Sequence, residues 1–276
     1  MDCLDTCVRK GGALSHLKDG RGGGPSRSRE TVSLLIPAAA ALVASFVNTL
    51  TGFGFALIAL PVLVATTDAK SAVVLTMLLY SALAPPFFWS ARRDVDPSLL
   101  KVLLLSSLLG QPLGTMVLVA IDEHLLRTAV AVAILIMALL LALDYHRPFR
   151  HRRRAGAIVG FATGVLATSI VVSGPLVVLF LANEGMPKER LRATAGIFML
   201  GMMPVTFGLY LYSGLITLPL LGTAVRLIPA LLVGYLLATR AVSLVDPKLF
   251  RRLTLLLVLG AGLTLLASQI RSLFPV

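Results

Sequence analysis

The chain has 276 residues, of which 57% are hydrophobic and only 14% are charged. Soluble domains carry about 25% charged residues, so the composition predicts an integral membrane protein and excludes a water-soluble enzyme or binding domain. The net charge of +12 would suggest a nucleic-acid partner for a soluble protein. Here most of the basic residues lie in the tail and loops, where they set membrane topology, and no nucleic-acid partner is expected.

Residues 1–30 form a polar and basic tail that contains the cluster Gly22-Gly23-Gly24-Pro25. No apolar region typical of a secretory signal precedes Val32, and we predict a disordered tail without an assigned function. Both cysteines, Cys3 and Cys7, lie in this tail. Because no histidine or second cysteine pair lies close to them in the sequence, they are a weak metal signal, and no metal or cofactor is expected.

Eight apolar segments follow, most of them near the ~20 residues that a membrane helix needs. They cover approximately residues 32–67, 71–91, 99–120, 125–143, 155–182, 193–212, 215–239 and 253–271. We predict an all-α membrane protein with a first membrane repeat at 31–146, a basic cytoplasmic linker at 147–154 and a second membrane repeat at 155–276.

Two homologous four-segment repeats are predicted from matching motifs. Gly110 is followed twelve residues later by Asp122 and an apolar helix, and Gly234 is followed at the same distance by Asp246 and another apolar helix. A similar offset places Thr51-Gly52 on Ser173-Gly174. Each repeat therefore has one long, glycine-interrupted segment followed by three plain helices.

The long segments decide the topology. The linker at 147–154 is the most basic loop in the chain and should be cytoplasmic. If 155–182 crosses the membrane once, the later basic loop around Arg240 and Arg251 falls outside; if the segment bends and returns, that loop becomes cytoplasmic. A helix over residues 155–182 would measure about 42 Å against a hydrocarbon core of about 30 Å. A broken or re-entrant first segment in each repeat, and hence inverted repeats, is favoured over parallel repeats, although the basic tail would then lie outside.

Both glycine-rich interruptions are candidates for a substrate site. Discontinuous helices in inverted repeats direct half-helix N-termini at an anion near the membrane midplane. The predicted substrate-binding residues are Asn48, Thr51, Gly52, Phe53, Gly54, Thr168, Ser169, Ser173, Gly174 and Pro175. The alternative for any single glycine is close helix packing, but two matched polar breaks favour a site.

Other polar residues within the segments carry weaker predictions. Arg226 either attracts the anion or extends its side chain to the membrane interface. Arg192 either meets anions at the mouth of the pathway or anchors a helix end. Gln111 either lines the cavity or makes an interhelical hydrogen bond.

Several chemistries are disfavoured by the sequence. No Asp or Glu lies in the interior of an apolar segment, so a buried carboxylate proton relay is not expected. No G-x-x-x-x-G-K-[ST] motif is present, and all four histidines lie in the tail and loops. We therefore predict that the protein is not an enzyme.

The chain resembles the sulfite exporter TauE/SafE transporters, also called the domain-of-unknown-function 81 permeases. The resemblance spans about residues 33–270 and depends on the order of four motifs. These are Leu50-Thr51-Gly52-Phe53-Gly54-Phe55 with Pro61, Gly110 with Pro112-Leu113-Gly114, Ser173-Gly174-Pro175-Leu176, and Gly185-Met186-Pro187-Lys188 with Arg192-Ala193-Thr194. Two departures are Pro175, where a doubled glycine is often found, and the basic tail.

The resemblance implies a duplicated, multi-pass transporter of the bacterial inner membrane. It also implies small organosulfur or sulfur oxyanions, such as sulfite, sulfoacetate or taurine-related compounds, as substrates. We predict a secondary carrier or facilitator that exports a small anion, with the lipid bilayer as its surroundings and a homo-oligomeric state left open. The alternative is a non-transporting assembly or sensor partner, which would need no cavity between the two glycine breaks.

Overall fold

The computed structural model describes residues 27–52, 54–83, 95–142 and 151–241, together with 259, 260 and 262. The side chains of 27–33, 141–142, 188–189 and 192 stand outside this description. So do the predicted tail up to residue 26, Phe53 and most of the last apolar segment. Contacts divide the chain into a short N-terminal unit, Met1–Leu34, and a compact unit, Leu35–Val276, which holds the core and the site.

Every regular element in the described residues is an α-helix, which confirms the all-α prediction. The helices are α1 Arg27–Thr51, α2 Phe55–Thr66, α3 Ala69–Ala82, α4 Pro97–Ala120, α5 Glu123–Ala142, α6 Arg152–Ser169, α7 Gly174–Asn183, α8 Lys188–Tyr212 and α9 Leu218–Ala241. Five of them, α1, α4, α5, α8 and α9, contain spans long and apolar enough to cross a membrane. Three others, α2, α3 and α7, are shorter apolar helices.

The outer surface of α4 is apolar in the way expected of a helix in lipid. Leu105, Leu109, Leu113 and Met116 follow one another at helical spacing and are 49–72% exposed. The opposite face buries small and polar residues, including Ser107, Gly110, Gln111 and Gly114. Because lipid tails solvate leucine well, such a helix packs through its small residues.

Close contact between α4 and α6 depends on two pairs of glycines four residues apart. These are Gly110 and Gly114 on α4 and Gly160 and Gly164 on α6. A Cβ atom at Gly110 would collide with the carbonyl oxygen of Phe161, and the same holds for Gly234 on α9 and the carbonyl oxygen of Leu42 on α1. At these glycines the packing explanation is sufficient.

The first long segment breaks where its glycines lie. Helix α1 ends at Thr51 and α2 begins at Phe55. Gly52 and Gly54 have φ angles of 82° and 116°, a region that costs side-chain-bearing residues free energy and that glycine enters freely. The sequence pattern therefore located this break correctly.

The second long segment also breaks, but not through its glycine. Helix α6 ends at Ser169, and Gly174 is already the first residue of α7. The left-handed residue is Val171, with a φ of 58°, where a β-branched side chain is strained by about 1–3 kcal/mol. Gly174 thus begins the second half-helix and does not form the bend itself.

An ion-pair cluster joins the start of α4, the start of α6 and the end of α7. Arg152 lies 2.8 Å from Asp96 and 2.9 Å from Glu184. Burial on its own raises the pKa of the Asp96 carboxyl, but the amide of Leu99 and the Arg152 guanidinium outweigh it and hold this pKa below its ordinary value. Because Arg152 opens α6 and Glu184 follows α7, the two helices form a hairpin with adjacent ends.

The turn between α2 and α3 lies at the opposite end of α4. The Lys70 Nζ donates to the carbonyl oxygen of Val119, near the end of α4, at 2.8 Å. The Ala69 amide donates to Glu123 Oε1 at 2.7 Å, and Arg127 donates to the carbonyl oxygen of Thr67 at 3.1 Å. The 24 residues of α4 separate the two ends by about 36 Å. Helices α2 and α7 therefore end beside opposite ends of α4.

Candidate functional site

A cavity of about 60 Å³ lies where the two broken segments meet. Since a cavity that holds a single water has a volume of roughly 10–15 Å³, this cavity has room for a small polyatomic ion. Its lining residues are Asn48, Gly54, Phe55, Ala56, Leu57, Met77, Tyr80, Ala167, Val171, Val172, Ser173, Gly174, Pro175, Met199, Met202, Met203 and Thr206. Residues from both predicted glycine breaks thus line one cavity.

Asn48 is the polar side chain that the first break brings to the cavity. It lies in the last turn of α1 and is only 1% exposed. Neither its Oδ1 nor its Nδ2 has a hydrogen-bond partner among the described residues. A buried, unpaired polar group costs about 1–3 kcal/mol, and a hydrogen-bonding partner in the cavity would remove that cost.

The N-terminus of α2 opens into the same cavity. The first intrahelical hydrogen bond of α2 runs from the Ile58 amide to the Gly54 carbonyl oxygen at 3.3 Å. The amides of the three cavity-lining residues between them have no partner within the helix. They form the positive end of the helix dipole.

The N-terminus of α7 lines the cavity as well. Ser173 is the N-cap residue, is 5% exposed and makes no side-chain capping hydrogen bond. Its hydroxyl and the Gly174 amide are hydrogen-bond donors next to the positive end of α7. Pro175 carries no N–H and suits the first turn of a helix.

Among the described residues, none of those that line the cavity carries a charged side chain. The described carboxylates of Asp68, Asp96, Asp122, Glu123 and Glu184 all lie at helix ends. Two helix N-termini, a carboxamide and a hydroxyl therefore set the local field, which favours an anion. Among the described residues, no group of three His, Cys, Asp or Glu side chains could hold a metal ion.

Four predicted binding residues lie outside the lining: Thr51, Gly52, Thr168 and Ser169. The Thr51 hydroxyl donates to the carbonyl oxygen of Val47 at 2.9 Å. The Thr168 hydroxyl donates to the carbonyl oxygen of Gln111 at 2.8 Å, and that of Ser169 to Val165 at 2.7 Å. The Thr51 and Ser169 bonds stay within their own helices, and the Thr168 bond joins α6 to α4.

The remaining predicted residues have different surroundings. Gln111 is fully buried next to the cavity, where its Oε1 accepts a hydrogen bond from the lining residue Thr206 at 3.1 Å. Arg226 is exposed on α9, away from the lining, a position suited to the membrane interface. Phe53 and the side chain of Arg192 lie outside the described residues.

Sequence reasoning missed the contribution of α3 and α8. Met77 and Tyr80 reach the cavity from α3, and three methionines with Thr206 reach it from α8. The α8 residues 199, 202, 203 and 206 have the spacing of one helix face. That spacing was the available signal, but lipid-facing apolar residues on the same helix follow it too.

Comparison with known proteins agrees with this architecture. The family model described as "Sulfite exporter TauE/SafE" matches residues 37–265, which include both helix breaks and every residue that lines the cavity. No curated protein and no solved structure matches the chain. Members of this family are multi-pass inner-membrane transporters of sulfite and related organosulfur anions. The chain belongs to the sulfite exporter TauE/SafE family.

Proposed function

We propose that the protein exports a small sulfur-containing anion, such as sulfite or a sulfonate, from the cytoplasm and binds it in the cavity between the two helix breaks. One observation carries the proposal: the unpaired carboxamide of Asn48 lies in the same cavity as two helix N-termini. A packing cavity needs no such group, whereas an anion site does.

The donors suit an oxyanion without holding it too tightly. The amides at the start of α2, the Gly174 amide, the Ser173 hydroxyl and the Asn48 Nδ2 can each donate to an anion oxygen. Because no lysine or arginine is among the described lining residues, the anion would leave them without breaking an ion pair. Moderate affinity of this kind suits transport, since the ion must enter and also leave.

The two ends of α4 support inverted repeats. Arg153 and Arg154 lie beside the Arg152 cluster, and a basic loop is expected to be cytoplasmic. The half-helix α7 runs from the cavity to this end, whereas its counterpart α2 runs to the other end. Opposite directions of equivalent half-helices are what inversion predicts.

The membrane potential gives the direction. The cytoplasm is negative, so each exported negative charge gains about 2.3 kcal/mol per 100 mV. No described carboxylate lines the cavity to couple a proton or sodium ion. We therefore propose that flux follows the membrane potential or the protonation of the anion itself.

The cavity also bears on the alternative of a non-transporting assembly or sensor partner. That alternative requires no polar cavity between the breaks, yet Gly54 and Gly174 line the same one. This placement supports transport.

The test is sulfite flux in proteoliposomes under an imposed membrane potential. We expect efflux that is faster when the loaded side is negative and that needs no sodium. Ser173→Ala should slow it. The double variant Thr51→Val, Ser173→Ala also tests the contact predicted from sequence for Thr51, whose hydroxyl donates to Val47 in the structure. A strictly sodium-dependent, pH-independent flux, or normal flux in the folded double variant, would contradict the proposal.

A further inference from the structure

Four methionines face the cavity, and no role has yet been assigned to them. Met199, Met202 and Met203 reach it from one face of α8, and Met77 reaches it from α3. They are four of the eight methionines in the chain. We name these four residues the methionine wall.

A thioether is polarisable and apolar, and it donates no hydrogen bond. An anion oxygen turned towards the methionine wall would therefore lose its water without gaining a donor. A sulfur atom, a lone pair or a methyl group would lose little there. The methionine wall thus accepts the side of an anion on which there is no oxygen atom.

The hydroxyls that line the cavity do not change this conclusion. The Thr206 hydroxyl oxygen lies 3.1 Å from two acceptors of the protein, Gln111 Oε1 and the Met202 carbonyl oxygen, which compete for its single proton. The ring of Tyr80 packs 5.9 Å from that of Phe55, the first residue of α2, which places Tyr80 beside the helix break. Apart from the hydroxyls of Tyr80 and Thr206, the donors among the described lining residues come from the breaks, and the methionine wall comes from α3 and α8.

We propose that the methionine wall makes the site selective for anions of the form X–SO₃, in which X is a lone pair, a sulfur atom or a short alkyl group. The three oxygens would bind at the two breaks, with X against the thioethers. Sulfate, which has a fourth oxygen at X, is rejected. This inference rests on the proposed function, because it concerns the same cavity.

The expected discrimination follows from one unpaired oxygen. A buried acceptor without a donor lowers affinity by roughly 10- to 100-fold. Thiosulfate and sulfate are the sharpest pair of probes, since they share charge and tetrahedral shape and differ only in one terminal atom. Flux of each radiolabelled anion into proteoliposomes should favour thiosulfate by about that factor.

Met203 is the residue to change, because it is half-buried and glutamine nearly matches its length. Met203→Gln offers an amide donor to the fourth oxygen and should reduce the preference for thiosulfate several-fold or more. Met203→Leu keeps the wall apolar and should retain the preference. Met116→Leu, at a methionine 67% exposed on the outer face of α4, is the control and should change nothing.

The outcomes separate this inference from the proposed function. Equal flux of thiosulfate and sulfate through the wild-type protein overturns selectivity by the methionine wall and leaves anion transport in place. An unchanged preference in folded Met203→Gln overturns it as well, and Met199→Gln replaces that variant if it does not fold. Absence of flux for every anion contradicts the proposed function, and the inference then falls with it.

Discussion

Replacing Asn48 by leucine should change stability and transport in opposite directions. Leucine has the same branched skeleton of side-chain heavy atoms but no polar atoms, so Asn48→Leu removes a carboxamide that has no partner in the described residues. Relief of an unpaired buried amide is worth about 1–3 kcal/mol. At about 2–4 °C per kcal/mol for chains of this size, the midpoint of thermal unfolding should rise by several degrees.

Transport should fall in the same variant, because the anion loses a donor. A hydrogen bond to a charged group contributes about 1.5–3 kcal/mol, which corresponds to roughly 10- to 150-fold in affinity. Thermal unfolding in detergent with and without sulfite, followed by flux in proteoliposomes, measures both effects. The stabilisation by sulfite that the wild-type protein should show is expected to disappear.

Ser45 provides a matched control one helical turn earlier. It is also fully buried, but its hydroxyl donates to the carbonyl oxygen of Leu231 at 2.7 Å. Ser45→Ala should therefore lower stability slightly and leave the response to sulfite intact. If Asn48→Leu destabilises the protein and transports sulfite normally, Asn48 is a structural residue and the reasoning is refuted.

Three further predictions concern the scaffold. Gly164→Ala should destabilise the protein by about 1–3 kcal/mol, because the added methyl group collides with an α4 backbone carbonyl. In the control Gly222→Ala the methyl group meets nothing within 4 Å and should not destabilise the protein. Thermal unfolding compares the two variants, and equal stability would contradict tight α4–α6 packing. Val171→Gly relieves the strain of the left-handed backbone, so the free energy of unfolding should stay within about 1 kcal/mol of the wild-type value. A decrease of more than about 2 kcal/mol in that free energy would show that the valine is not strained. Because Arg152 lies beside Asp96, the pKa of the Asp96 carboxyl is lowered. This carboxylate should add at most about 1 kcal/mol to the free energy of unfolding, which is present at neutral pH and lost as pH falls below about 4. Asp96→Asn should remove that part of the acid dependence, and an unchanged pH–stability curve would argue against it.

The first helix break could be predicted because its cause is local. Gly52 and Gly54 interrupt an apolar run with two residues that enter positive φ freely, and both have positive φ. The second break could be predicted only in position. Its left-handed residue is Val171, and β-branched residues disfavour a positive φ. The surrounding packing must therefore impose that conformation.

The side chains of the site were predictable where polarity distinguished them from the membrane segment. Asn48, Ser173 and Gly174 belong to this group, and they line the cavity. Thr168 and Ser169 share the same polarity, yet they hydrogen-bond to backbone carbonyls. A hydroxyl in a helix has such a carbonyl within reach four residues earlier, so sequence does not decide between backbone and substrate as its partner.

The sequence by itself determined the membrane class, the helical fold, the family and the approximate positions of the two helix breaks. Composition, segment length and glycine position are properties of a chain in lipid, and they need no tertiary contact. Tertiary structure alone decided that the two breaks meet, that Asn48 is buried without a partner, and that the α8 methionines face the cavity. Lipid is as apolar as the protein interior, so the inward face of a membrane helix has no contrast in hydrophobicity to mark it.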